Sequence, residues 1–168
     1  MHALSSTMVL WARPVALSIH VVEEFAIPGG FVRWIERYNQ RRLKRARYYV
    51  AVNAAAIALS VALAFWAKEP VGYWVFLYSV ALMAGNAVSH VRAALQQKRC
   101  CPGMVSGVLL FIPLLVLGGW RFIGADVVRW PFAAIGIIMG LIVGLFLFPV
   151  DTRHQEAPDA RPRPEHSG

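Results

Sequence analysis

Long apolar segments constrain the fold of this chain more than any other feature. The clearest is YYVAVNAAAIALSVALAFWA, residues 48–67, which contains no charged side chain. An α-helix of about 20 apolar residues spans the roughly 30 Å hydrocarbon core of a bilayer. Inside lipid the backbone groups must be hydrogen-bonded internally, which a helix achieves within one segment. The segment therefore predicts an all-α fold, a polytopic bundle of membrane-spanning helices.

Five such segments divide the chain. They lie at about residues 8–26, 48–67, 71–95, 104–123 and 131–149. Pro131 stands at the first turn of the fifth segment, a favoured position, and Pro113 is expected to kink the fourth. The last stretch, 151–168, is polar and proline-rich, as is typical of disorder. We therefore expect one transmembrane helical bundle over residues 1–150 and a disordered polar C-terminal tail over 151–168.

Composition and charge narrow the class of partner. The chain is 58% hydrophobic and 15% charged, which excludes an ordinary soluble domain, and its formal net charge is +8. The basic residues lie between the apolar segments, so we expect anionic lipid headgroups as partners and no nucleic acid. The most basic loop is GFVRWIERYNQRRLKRARYY, residues 30–49. It is interpreted most simply as a topology signal, and it can also lie as an interfacial helix with Phe31 and Trp34 toward lipid.

The distribution of lysine and arginine predicts an orientation. The first loop, the third loop and the tail hold most of these residues, and all three lie on one side of a five-helix protein. The positive-inside rule then places the N-terminus outside and the C-terminus in the cytoplasm, in a bacterial inner membrane. Cys100 and Cys101 fall on the cytoplasmic side, where we expect reduced thiols.

Two short motifs carry the polar side chains that a membrane helix normally avoids. The first is HVVEE, residues 20–24, and the second is NAVSH, residues 86–90. Positions i, i+3 and i+4 of a helix share one face, so His20, Glu23 and Glu24 point into one sector. The first and third helices run in the same direction, and each motif lies near its helix's C-terminal end. The two motifs are therefore expected to meet at one depth.

These residue types indicate a metal site. We expect His20, Glu24 and His90 to ligate one divalent ion, with Glu23 as the general base and Asn86 orienting the substrate; the two glutamates can also exchange roles. The ligand set suits Zn²⁺ and equally the Fe²⁺ of a two-histidine, one-carboxylate site. The predicted function is a metal-dependent integral membrane enzyme, most simply a hydrolase acting on a lipidic or membrane-soluble substrate. Two alternatives stay open: a non-enzymatic protein that relays protons or carries a cation through the same residues, and a purely structural polar cluster.

Small residues mark a packing surface on the fifth helix. Gly136, Gly140 and Gly144 recur every four residues and so form one stripe. Such stripes let membrane helices approach closely. We expect the stripe to pack within the bundle or between two copies of the chain as a homo-oligomer.

The motifs together resemble the HXXEE-motif domain, a family of uncharacterised bacterial integral membrane proteins. The resemblance rests on HVVEE, on NAVSH and on KRCCPG, residues 98–103. In the third motif, Lys98 stands where the family has arginine and Cys100 where it has tyrosine. The resemblance implies an enzymatic activity whose reaction is not defined. The site residues that it implies are His20, Glu23, Glu24, Asn86, Ala87, His90, Pro102 and Gly103.

Overall fold

The structure, a computed structural model, is a bundle in which the described residues form five long helices. It describes residues 5–26, 30–31, 33–34, 46–67 and 70–147, and it has no strand among them. The helices are α1 (Ser6–Ala26), α2 (Ala46–Trp66), α3 (Pro70–Gln97), α4 (Met104–Phe122) and α5 (Trp130–Leu147). Each lies within a few residues of its predicted position, and the predicted fold class is confirmed. The tail at 151–168 and most of the first loop lie outside the described residues.

Three helices, α2, α3 and α4, are long and apolar enough to cross a membrane. The apolar stretch of α5, Trp130–Phe146, is shorter, and α1 carries Arg13, Glu23 and Glu24. The outward faces of the bundle are apolar. Large exposed side chains include Val50, Leu59, Phe65, Leu95, Leu109 and Val116. An apolar surface of this extent is consistent with contact to lipid tails.

The core lies where α4 packs against α1 and α3, and where α5 packs against α3. Its largest fully buried side chains are Phe76 and Leu77 of α3, Phe111 and Phe122 of α4, and Leu17 of α1. Lipid tails are as apolar as these side chains, so close packing rather than water exclusion holds helices together in a bilayer. Helices in a bilayer therefore need small residues at their contacts so that they can pack closely, and α5 has glycines at its contact with α3.

The glycine stripe of α5 lies directly on α3. A Cβ at Gly140 would lie 2.9 Å from Cβ of Ala81, and one at Gly144 would lie 2.8 Å from the backbone nitrogen of Asn86. The stripe is therefore a packing surface within the chain, as predicted, and it supports α3 beside Asn86. A homo-oligomer through the same stripe stays a prediction. Such an oligomer would have to use a helix face that α3 already covers.

Helix α4 begins with an irregular turn. Residues Gly107–Phe111 form a π-helical stretch just before Pro113. Pro113 has no amide hydrogen to donate to the carbonyl of Leu109, so the regular α-helical pattern is interrupted there. The sequence predicted a kink at Pro113, and the structure has this wider turn in the preceding residues. Short π-helical segments are frequent at functional sites, and this one carries Phe111 against the ring of His20, with ring centroids 5.2 Å apart.

Candidate metal centre

The polar residues of the two motifs meet at one end of the bundle. The C-terminal parts of α1 and α3 lie there beside the N-terminus of α4. The side chains of His20, Glu24, Asn86 and His90 are all buried, with residue exposures between 2% and 4%. The convergence that helical spacing and parallel helix direction predict is therefore present.

Three of these side chains aim their potential ligand atoms at a common point. Glu24 Oε1 lies 3.5 Å from His20 Nε2 and 3.3 Å from His90 Nε2. The three ligand atoms all lie within 4.8 Å of one another. Tetrahedral bonds of about 2.0–2.2 Å place ligand atoms about 3.3–3.6 Å apart. Two of the three separations already have this length, so the group can close on one ion with small side-chain movements.

The remaining ring nitrogens have partners that orient the two histidines. His20 Nδ1 lies 3.0 Å from Ser106 Oγ, and His90 Nδ1 lies 3.2 Å from Cys101 Sγ. When each Nδ1 carries the ring proton, each Nε2 keeps a lone pair that faces Glu24. This is how an outer partner fixes a ligating histidine. Ser106 and Cys101 were not predicted, because nothing in their local sequence marks them.

Glu23 has a different place from Glu24, its neighbour. Its Oε1 accepts a hydrogen bond from the amide of Val105 at 3.2 Å, and its Oε2 accepts one from the amide of Ser106 at 2.6 Å. Gly103 precedes α4 and has no side chain to cap that helix. Glu23 therefore supplies the capping carboxylate from α1. The role of general base predicted for Glu23 stays a prediction.

The loop before α4 touches the cluster through its glycine. Gly103 has φ +84°, and a Cβ there would lie 2.8 Å from Glu24 Cγ and 2.9 Å from His20 Cε1. Both the left-handed backbone and the close approach require glycine. The third motif thus reaches the site through its backbone. The family resemblance implied Pro102 and Gly103 as site residues, and the structure has the glycine in contact with both His20 and Glu24.

The two cysteines of the third motif also differ. Cys101 is buried, with 1% of its surface exposed, whereas Cys100 is exposed. Burial, together with the negative charge of Glu24, raises the pKa of the Cys101 thiol to about 12. Cys101 is therefore a neutral thiol that contacts His90, while Cys100 is exposed at the surface of the loop.

Asn86 and Ala87 complete the α3 side of the site. Asn86 Nδ2 lies 3.3 Å from His90 Nε2, and Asn86 Oδ1 is buried without a hydrogen-bond partner in the described part of the chain. Ala87 is fully buried, and a Cβ at Gly107 would lie 2.9 Å from its Cβ. The alanine is thus small because α4 packs against it, and Asn86 is the polar member of the pair.

Phe31 corrects one expectation. The interfacial-helix interpretation placed its ring toward lipid, but Phe31 is only 4% exposed and its ring centroid lies 5.2 Å from that of His90. The ring lies over the histidine from the first loop. The many basic residues of this loop suggested only a contact with headgroups. They gave no indication that Phe31 packs against His90.

The fold and the site together define a class, a helical membrane-type bundle with a buried His–Glu–His group at one end. The family model described as "Protein of unknown function with HXXEE motif" matches residues 11–118. The chain belongs to this family, and the match includes all three motifs. No curated protein and no solved structure matches the chain.

Proposed function

We propose that this protein is a metal-dependent integral membrane enzyme, most simply a hydrolase, that acts on a lipidic or membrane-soluble substrate. The observation that carries the proposal is the convergence of Glu24 Oε1 with Nε2 of both His20 and His90 in a buried site. Each ring is oriented from behind by Ser106 or Cys101. Such orientation is typical of ligating histidines.

The energetics favour an ion. A carboxylate at the centre of a membrane helix costs about 2.5–3.5 kcal/mol on insertion scales, and one near a helix end, as Glu24 is, costs less. In the tautomer with both ring protons on Nδ1, the two Nε2 lone pairs that face Glu24 add repulsion. A divalent cation would offset both terms. Two histidines and one carboxylate leave further coordination positions open, as in catalytic Zn²⁺ and non-haem Fe²⁺ sites. Such an ion would supply Lewis acidity to a carbonyl or phosphoryl group and would lower the pKa of water.

The remaining polar residues have separate roles in this proposal. Asn86 contacts the substrate and orients it beside the cluster. Glu23 holds the N-terminus of α4, and with it Ser106, against His20. Because both Glu23 oxygens accept backbone hydrogen bonds, we propose a positioning role for Glu23. The variant Glu23→Gln, described below, also tests the alternative role of general base.

The proposed setting is the bacterial inner membrane. In the orientation that basic residues predict, the N-terminus is outside, the C-terminus is cytoplasmic, and the site opens toward the cytoplasmic leaflet. The basic first loop would then contact anionic headgroups of that leaflet.

A second candidate is a proton relay or cation carrier. The contacts from Asn86 to His90, Glu24 and His20 form a chain of the kind that moves protons. A relay needs a polar path to both membrane faces. Among the described residues, apolar side chains such as Leu17, Val80 and Phe111 outnumber the buried polar ones beyond the cluster, which are Arg13, Ser60 and Ser79. We therefore place the enzyme first.

Adjacent glutamates provide the test. Protein purified in detergent with Zn²⁺ present and then dialysed should retain about one ion per chain by elemental analysis. Glu24→Gln should abolish retention, while Glu23→Gln, one residue away, should keep the ion. If Glu23 is the base, Glu23→Gln also loses activity at full occupancy. A metal-free wild type, or equal retention in both variants, contradicts the proposal.

A further inference from the structure

A cavity of about 120 Å³ lies beside the cluster, between α1, α2 and α3. Its inner wall is buried and holds the polar atoms of the site. Its outer wall consists of half-buried or exposed residues, mostly from α2. The outer residues are Tyr49, Val52, Asn53 and Ala56 of α2 and Met83 of α3.

The mouth of this cavity lies on the exposed side of its lining, along α2. Helix α2 packs mainly against α1 and touches α3 only slightly. Val52 at the mouth is 49% exposed, and the neighbouring outward residues Val50 and Leu59 are 55% and 68% exposed. The gap between α2 and α3 therefore opens on an apolar helix face, from which a molecule dissolved in the bilayer can enter.

The inner end of the cavity holds one buried hydrogen-bond acceptor that has no donor among the described residues. Asn86 lines the cavity, is 4% exposed, and has a buried Oδ1 with no partner within the described chain. An amide oxygen only accepts hydrogen bonds, and leaving it unsatisfied costs free energy. An occupant that stabilises this site must therefore bring a hydroxyl or an amide N–H. Asn53, on the opposite wall, offers a second hydrogen-bonding group.

The rest of the cavity is narrow and apolar, so it fits a single alkyl chain. Leu17, Ala56 and Met83 line the space between Asn86 and the mouth. A cavity of about 150 Å³ holds one benzene ring, so this space admits a small head and the first methylenes of one chain. A sterol or the glycerol of a two-chain lipid is too wide.

We propose that the cavity binds a single-chain amphiphile, with its hydroxyl or amide N–H on Asn86 Oδ1 and its alkyl chain passing between α2 and α3 into the bilayer. This inference rests on the proposed function, because it names the class of substrate that the same site receives. It assigns Asn86 to contact with the substrate's head, and it makes Asn53 a positioning residue at the head.

Photolabelling tests the proposal without any need for activity. The probe is hexadecanol that carries a diazirine on its chain, and the matched probe is its methyl ether, which has no donor. In the wild-type protein in bilayers, the alcohol should label residues of α2 and α3 around Ala56 and Met83. The ether should label them about fivefold less, as expected for one lost hydrogen bond. Equal labelling by the two probes, or labelling spread evenly around the bundle, overturns the proposal.

Variants locate the site. Ala56→Trp fills the cavity and should abolish the specific labelling, whereas Leu59→Trp, on the lipid-facing side of the same helix, should leave it unchanged. Met83→Trp blocks the cavity from α3 and serves if Ala56→Trp does not fold. Unchanged labelling in a folded blocking variant overturns the inference. Metal analysis of the same samples separates the two proposals. Metal retention without selective labelling refutes only the binding of an amphiphile in the cavity. Selective labelling without bound metal refutes only the metal centre.

Discussion

Glu24 Oε1 lies 3.3 Å from His90 Nε2, although the two residues are 66 positions apart in the sequence. This contact joins the first motif to the second. The loop of the third motif closes over it, since Gly103 lies against both Glu24 and His20. The three motifs are therefore parts of one site, and substitutions in each have distinguishable consequences.

Gly103→Ala should disrupt the site from the loop. The new methyl group would overlap Glu24 and His20, and a φ of +84° is unfavourable for alanine. We expect loss of metal retention and a cost of about 1–3 kcal/mol in the free energy of unfolding. Thermal melting in detergent and elemental analysis measure both effects. Gly119→Ala is the matched control, because its methyl group would meet nothing closer than 4.0 Å; an equal loss in both variants would contradict the proposed contact.

The helical architecture was predictable because apolar length and helical period are local properties. His20, Glu24 and His90 were predictable for the same reason, since spacing along a helix fixes the face and parallel direction fixes the depth. Ser106, Cys101 and Phe31 were not. Each reaches the site through a loop or an irregular turn, whose path depends on packing between distant segments. Glu23 caps α4 while Glu24 contacts the histidines. This difference depends on the position of the first turn of α4 relative to α1, which the sequence does not reveal.

Gly140→Leu should separate α5 from α3. A leucine side chain cannot fit where a single Cβ already lies 2.9 Å from Ala81. Overpacking of this kind costs about 1–3 kcal/mol or more, which a lowered melting temperature in detergent would reveal. Val143→Leu, on the more exposed side of the same helix, should melt like wild type. Wild-type stability for Gly140→Leu would show that the stripe does not hold the bundle.

Cys101 should resist thiol reagents. Its thiol is buried and its pKa is raised to about 12, so at pH 8 only about one molecule in ten thousand is the reactive thiolate. With Cys100→Ser and Cys101→Ser as single-thiol variants, a maleimide should react at Cys101 at least a hundredfold more slowly than at the exposed Cys100. The Cys101 rate should rise as the pH approaches 12. Similar rates at pH 8 would contradict the buried contact with His90.

The orientation is testable at the two ends of α4, about 28 Å apart along a helix of 19 residues. In Cys101→Ser protein, Cys100 should be inaccessible to a membrane-impermeant maleimide added to intact cells. Ala125→Cys in a background without other cysteines should be labelled, because Ala125 is exposed at the other end. The reverse pattern would invert the protein in the membrane and leave the geometry of the site unchanged.

X-ray absorption at the edge of the bound metal tests the metal centre most directly. The purified wild-type protein should show a first shell of nitrogen and oxygen at about 2.0–2.2 Å, with outer scattering from two imidazole rings. His90→Ala, if any metal remains, should lose the contribution of one ring. A protein that binds no metal, or a bound metal whose imidazole scattering is the same in His90→Ala as in wild type, would show that His20, Glu24 and His90 do not form a metal site.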